Sequence, residues 1–128
     1  MSTELTMLAL SAGLTFMLTF PSVIALIMTK GFSFAAGNRN ETYTLPTWGD
    51  RAGRAHRNML ENFPLFIALV VAAQLSGATN ETTALGATVF FWGRVAHAVV
   101  YIAGIPYLRT LAFGASLVGM AMIAAQVL

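Results

Sequence analysis

Asp50-Arg51-Ala52-Gly53-Arg54-Ala55-His56-Arg57-Asn58-Met59-Leu60-Glu61-Asn62 runs without a break into the apolar stretch Phe63 to Ser76. That stretch is 14 residues long, whereas a helix crossing roughly 30 Å of hydrocarbon needs about 20 residues. The charged run therefore contributes part of a membrane span. Ionisable side chains at such depth are costly and face a bundle interior or a water-filled cavity, so these residues are functional candidates.

Working outward, the rest of the chain has the same solvent. Hydrophobic residues make up 57% and charged residues 9%, a balance foreign to soluble domains. Four segments are long enough, or nearly so, to cross: Leu5 to Met28, Asp50 to Ser76, Asn80 to Ala103 and Leu108 to Leu128. The expected fold is an all-α integral membrane protein, one four-helix domain over residues 1–128. The first segment lacks a basic n-region and its apolar run exceeds a signal-peptide core, so it reads as helix 1. Asn80 before Glu81 is a good N-cap, Gly77 can end helix 2, and Gly104-Ile105-Pro106 is a tight turn. Pro21 and Pro64 fall inside helices and predict kinks, while residues 31–48 show no helical period and read as the one long loop.

The net charge of +2, with no basic tail, excludes nucleic acid as a partner. The absence of cysteine excludes disulfides, so any thiol chemistry uses an exogenous sulfur. Lys30, Arg39, Arg51, Arg54 and Arg57 lie in or beside the first connection, Arg109 lies in the third, and the second has no basic residue. The positive-inside rule then puts both termini outside and the basic end in the cytoplasm. Two matches to a glycosylation acceptor, at Asn40 and Asn80, carry no weight in that arrangement.

At about 100° per residue, Asp50, Arg51, Arg54, Asn58, Glu61 and Asn62 fall within about 120° of arc, with Arg57 at its edge. His56 points the other way and reads as a packing histidine. Arg94, His97 and Tyr101, spaced i, i+3, i+7, share one face of helix 3. From the cytoplasmic ends, Glu61 and Arg94 lie about 15 Å deep, Asn58 and His97 about 11 Å, and Arg54 and Tyr101 about 5 Å. These depths predict a Glu61–Arg94 ion pair below a pocket rimmed by Arg54, Arg57, His97, Tyr101 and Arg109. Arg51, Arg57 and Arg109 could alternatively snorkel to lipid phosphates. The polar residues fit no zinc pattern, phosphate loop or serine elbow. An arginine-rich pocket with apolar walls suits a small ligand carrying carboxylates.

Arg54-Ala55-His56-Arg57-Asn58-Met59-Leu60-Glu61-Asn62 followed by Pro64-Leu65-Phe66, together with Arg94-Val95-Ala96-His97, Tyr101 and Arg109, resembles the membrane-associated proteins in eicosanoid and glutathione metabolism. The resemblance covers nearly the whole chain. It is nearest to the microsomal prostaglandin E synthase and glutathione transferase branch and its bacterial relatives. It implies an up-down four-helix subunit assembled as a homotrimer in a bacterial inner membrane, with glutathione bound between subunits near the cytoplasmic face. Glutathione-binding positions carried over by the resemblance are Lys30, Arg54, Arg57, Asn58, Glu61, Arg94, His97, Tyr101 and Arg109, with Glu61 and Arg94 matching a structural pair. Arg109, Thr110 and Tyr101 match the positions that activate the thiol. Phe113 replaces a tyrosine of the prostaglandin branch. The implied activity is a glutathione-dependent transferase or peroxidase acting on a lipophilic molecule from the bilayer. A non-catalytic lipid- or partner-binding protein of the same fold is the alternative. A small multidrug exporter would need an acid within helix 1, and Leu5 to Thr29 contains none.

Overall fold

The computed structural model describes every residue, Met1–Leu128. Its elements are α1 (Thr3–Lys30), α2 (Phe32–Ala36), α3 (Thr47–Ser76), α4 (Glu81–Ala103) and α5 (Pro106–Val127). All but α2 are long and apolar enough to cross a bilayer, and the chain is an integral membrane protein. The expected four spans are present, each within a few residues of its predicted ends. A fifth, five-residue helix, α2, lies within the segment read as loop. It is little more than one turn, too short for a 3.6-residue period to show in the sequence.

Local chemistry sets the helix ends. Ser2 caps α1 by accepting from the Leu5 N–H at 3.2 Å. Gly77 closes α3 in the left-handed region at φ 71°, and Gly104 closes α4 at φ 82°, conformations that cost other residues a Cβ clash. Asn80 and Thr83 form a reciprocal capping box at the start of α4, and Pro106 opens α5 where its missing N–H costs nothing. α1 and α3 each continue through their internal proline.

α3 and α4 form the centre of the bundle. Each packs against α1 and against α5, while α1 and α5 do not touch. Phe66 of α3 stacks on Phe90 of α4, centroids 3.9 Å apart, within a core that also holds Met59, Val70, Ala87, Met120 and Ile123. Between α4 and α5 the backbones themselves meet: a Cβ added to Gly119 would lie 2.5 Å from the Gly86 carbonyl oxygen. Small residues at such a crossing let dispersion and close packing hold helices together where lipid removes the hydrophobic drive.

The end of the bundle holding both termini is tied by polar contacts. Ser2 Oγ donates to Gln74 Oε1 at 2.9 Å, Thr83 Oγ1 to Glu4 Oε1 at 3.2 Å, and Asn80 Nδ2 to Gln126 Oε1 at 2.7 Å. Glu4, one residue before the predicted start of helix 1, is only 4% exposed in the first turn of α1. Its burial was invisible in the sequence because its partner is 79 residues away.

Candidate functional site

The polar stripe of α3 is two rows. Asp50, Arg54, Arg57 and Glu61 recur at steps of four, three and four, within about 60° of arc, and all four are exposed. Arg51, Asn58 and Asn62 lie some 40–140° round the helix from that row, between it and the core-facing residues Ala55, Met59 and Phe66, and are half-buried. From the inner row Arg51 and Asn58 bond to α4, through the Ile102 carbonyl and the Arg94 guanidinium.

The split overturns the predicted ion pair. Arg94 is 1% exposed, and its Nη2 donates to Asn58 Oδ1 at 2.6 Å. Glu61, on the outer row, points off the surface of the chain. The one ion pair in the chain is Lys30–Glu41, at 3.6 Å. Equal depth along two helices says nothing about rotation, and one turn of α3 displaces Glu61 from Asn58 by about 60°. Asn58 Oδ1 also lies 3.4 Å from Asn62 Nδ2, which donates to the Asn58 carbonyl at 2.8 Å.

Asn58 of α3, His97 and Tyr101 of α4, and Arg109, Thr110 and Phe113 of α5 line one cavity of about 250 Å³. Tyr101 is four residues beyond His97 on α4, so their rings meet edge to face at 5.3 Å. Arg109 reaches back from the first turn of α5 and lays its guanidinium over the Tyr101 ring, 4.6 Å from its centroid. Among the lining residues His97 leaves its buried Nδ1 without a hydrogen-bond partner within the chain, and Arg94, bonded to Asn58 from behind, leaves Nε and Nη1 without one. Buried polar groups are nearly always paired, so unpartnered nitrogens on a lining residue and on the arginine bonded to Asn58 make the surroundings of this cavity polar. The lining offers donors, from Arg109, Tyr101 and Thr110, and no carboxylate.

The remaining predicted site residues lie elsewhere in the chain. Arg54 and Arg57 open onto a second cavity, between α1, the α2–α3 connection and α3. Lys30 pairs with Glu41 and sits 5.0 Å over the Phe34 ring at the end of α1. Arg51, a candidate for snorkelling, instead donates from Nε to the Ile102 carbonyl at 2.9 Å. It packs on Gly104 and caps the last turn of α4, a role that no local sequence signal marks. Sequence reading also missed the second cavity, for which Gly49 and Gly53, four residues apart on a spanning helix, are the available sign.

No curated protein matches the chain significantly. The family model described as MAPEG family matches residues 5–128. With four spans and all but the first four residues covered by that match, the chain belongs to the MAPEG family.

Proposed function

We propose that the protein is a glutathione-dependent membrane enzyme of the transferase or peroxidase class, with its site in the cavity of Asn58, His97, Tyr101, Arg109 and Thr110. The observation that carries this reading is the convergence of three helices on one donor-rich, carboxylate-free cavity whose Asn58 is bonded to the buried Arg94. Such a set fits a small peptide with two carboxylates and a thiol. Glutathione, when bound, supplies a thiol whose ionised form attacks a lipophilic electrophile or hydroperoxide. A free thiol of pKa about 8.5 is only a few per cent ionised at pH 7. The Arg109 guanidinium favours the ionised sulfur electrostatically, and the hydroxyls of Thr110 and Tyr101 can donate hydrogen bonds to it. Arg94 supplies further positive potential from behind Asn58.

The outer row supports a homotrimer. Glu61 is exposed about 21 Å along α3 from Thr47, and a carboxylate at that depth does not face hydrocarbon. A neighbouring subunit would cover it and bring its own α1 end, with Lys30, towards the cavity, joining the basic residues that one chain keeps apart. The cluster of basic residues at this end favours a cytoplasmic site and external termini.

Titrating glutathione into purified protein should produce thiolate absorbance near neutral pH, and Arg109→Ala should raise the apparent pKa of the bound thiol. Binding with an unshifted thiol pKa would refute catalysis and favour the non-catalytic binding protein.

A further inference from the structure

A third cavity, of about 130 Å³, adjoins the one lined by Asn58, His97 and Thr110. Its lining is Arg51 of α3, Tyr101 of α4, the turn Gly104-Ile105-Pro106 and Arg109 of α5. Tyr101 and Arg109 line both cavities, so this stacked pair stands between them. On α3, Arg51 lies two turns before Asn58 and within about 20° of it in projection. The two cavities thus follow one face of α3, the smaller at the end of the bundle where α4 turns into α5.

The end of α4 fixes Arg51 in this place. The last carbonyls of a helix need donors from beyond it. Those of Val100 and Tyr101 accept from the Ile105 and Gly104 N–H groups, and that of Ile102 accepts from Arg51 Nε. Gly104 serves twice. Its φ of 82° lets the chain turn, and a Cβ there would lie 3.1 Å from Arg51 Cζ, 3.2 Å from Nε and 3.3 Å from Nη1, so the guanidinium lies across the glycine. Capping takes one of the five guanidinium donors. The edge formed by Nη1 and Nη2 is left without a partner within the chain. Neither Arg51 nor Arg109 forms an ion pair, and no acid lines the cavity they share.

We propose that Arg51, with Arg109, holds the glycine carboxylate of glutathione in this small cavity while the thiol lies in the larger one; the proposal rests on the glutathione reading above. Two guanidiniums without an acid attract a carboxylate and repel an ammonium. The glutamyl end of glutathione carries an ammonium beside its carboxylate, whereas the glycine end carries a carboxylate alone. A cavity of about 130 Å³ suits a residue without a side chain. Ile105 and Pro106 add apolar wall, and the exclusion of water strengthens a charge-assisted bond. Arg51 thereby sets the direction in which the peptide lies, with its sulfur towards Arg109 and Thr110.

The test is calorimetric titration of the full chain in mild detergent with glutathione and with glutathione amide, in which a neutral amide of the same shape replaces the glycine carboxylate. The wild type is expected to bind glutathione about tenfold or more tighter than the amide. Arg51→Met keeps the apolar stem and removes the guanidinium. It should lower glutathione affinity about tenfold and leave affinity for the amide at the wild-type value, so that the preference disappears. An Arg51 that only caps α4 predicts a parallel weakening of both ligands. Should Arg51→Met fail to fold, Arg51→Gln, which keeps a neutral N–H donor for the end of α4, takes its place with the same expectation. Equal affinity of the wild type for the two ligands, or an undiminished preference in whichever variant folds, overturns the proposal and leaves the glutathione reading intact. Binding of neither ligand by the wild type overturns that reading and this proposal with it.

Discussion

Arg94 and Asn58 join α4 to α3 through a charge-assisted hydrogen bond, Nη2 to Oδ1 at 2.6 Å, in a position where the sequence predicts an ion pair with Glu61. The amide satisfies one of the Arg94 donors and leaves its charge uncompensated within the chain. Asn58→Leu would strand the whole guanidinium, at a cost of about 1.5–3 kcal/mol for a hydrogen bond to a charged group. Asn58→Asp would supply a carboxylate in the same place. In thermal melts in detergent, Asn58→Asp should match or exceed the wild type and Asn58→Leu should melt lowest. The opposite order would show that Arg94 does not depend on Asn58.

The exposed row of Asp50, Arg54, Arg57 and Glu61 continues up α3 to Ala68, also exposed and about 20° from Glu61 in projection. If this row lines the axis of the proposed homotrimer, Ala68 comes close to its own symmetry mates, the condition for a disulfide between like positions. The chain has no cysteine, so Ala68→Cys introduces a single thiol. Oxidation should yield a covalent dimer in denaturing gels. Leu111→Cys, on α5 at a residue 69% exposed, provides the lipid-facing comparison and should yield none. Equal cross-linking at both positions would remove the argument for an α3-centred interface.

The spans were legible because length and hydropathy are local, and so were Gly77, Asn80 and Pro106, whose roles depend on neighbours within four residues. The meeting of His97 of α4 with Asn58 of α3 at one cavity was legible from depth, which paired Arg94 with Glu61 instead. The choice of Asn58 over Glu61 was not, because depth leaves each helix free to rotate about its axis. The Arg51 bond to Ile102 spans 51 positions, and the second cavity exists through a glycine-mediated approach of α1 to α3. Both depend on tertiary placement that no periodicity encodes.

Gly119 and Gly114 give a controlled pair on one helix. A Cβ at Gly119 would lie 2.5 Å from the Gly86 carbonyl oxygen and 2.7 Å from the Phe90 nitrogen, both backbone atoms that cannot swing aside, while a Cβ at Gly114 meets nothing within 4 Å. Gly119→Ala should therefore cost about 1–3 kcal/mol through forced separation of α4 and α5. Gly114→Ala should be neutral or mildly stabilising, since alanine favours helix by about 1 kcal/mol over glycine. Folded yield and melting temperature of the two variants check this, and equal behaviour would mean that the α4–α5 crossing yields more readily than its backbone contact implies.

Tyr101 has two separable parts in the cavity, a ring under the Arg109 guanidinium, 4.6 Å from centroid to Cζ, and a hydroxyl. Tyr101→Phe keeps the ring and removes the hydroxyl, whereas Tyr101→Ala removes both and frees Arg109 to leave the cavity. A cation–π contact contributes about 0.5–2 kcal/mol, so loss of the ring should weaken glutathione binding by about 2- to 30-fold where loss of the hydroxyl alone changes it less. Calorimetric titration of glutathione into each variant measures the difference. A Tyr101→Phe variant as impaired in binding as Tyr101→Ala would assign the effect to the hydroxyl and leave the stacked position of Arg109 without a role in holding the ligand.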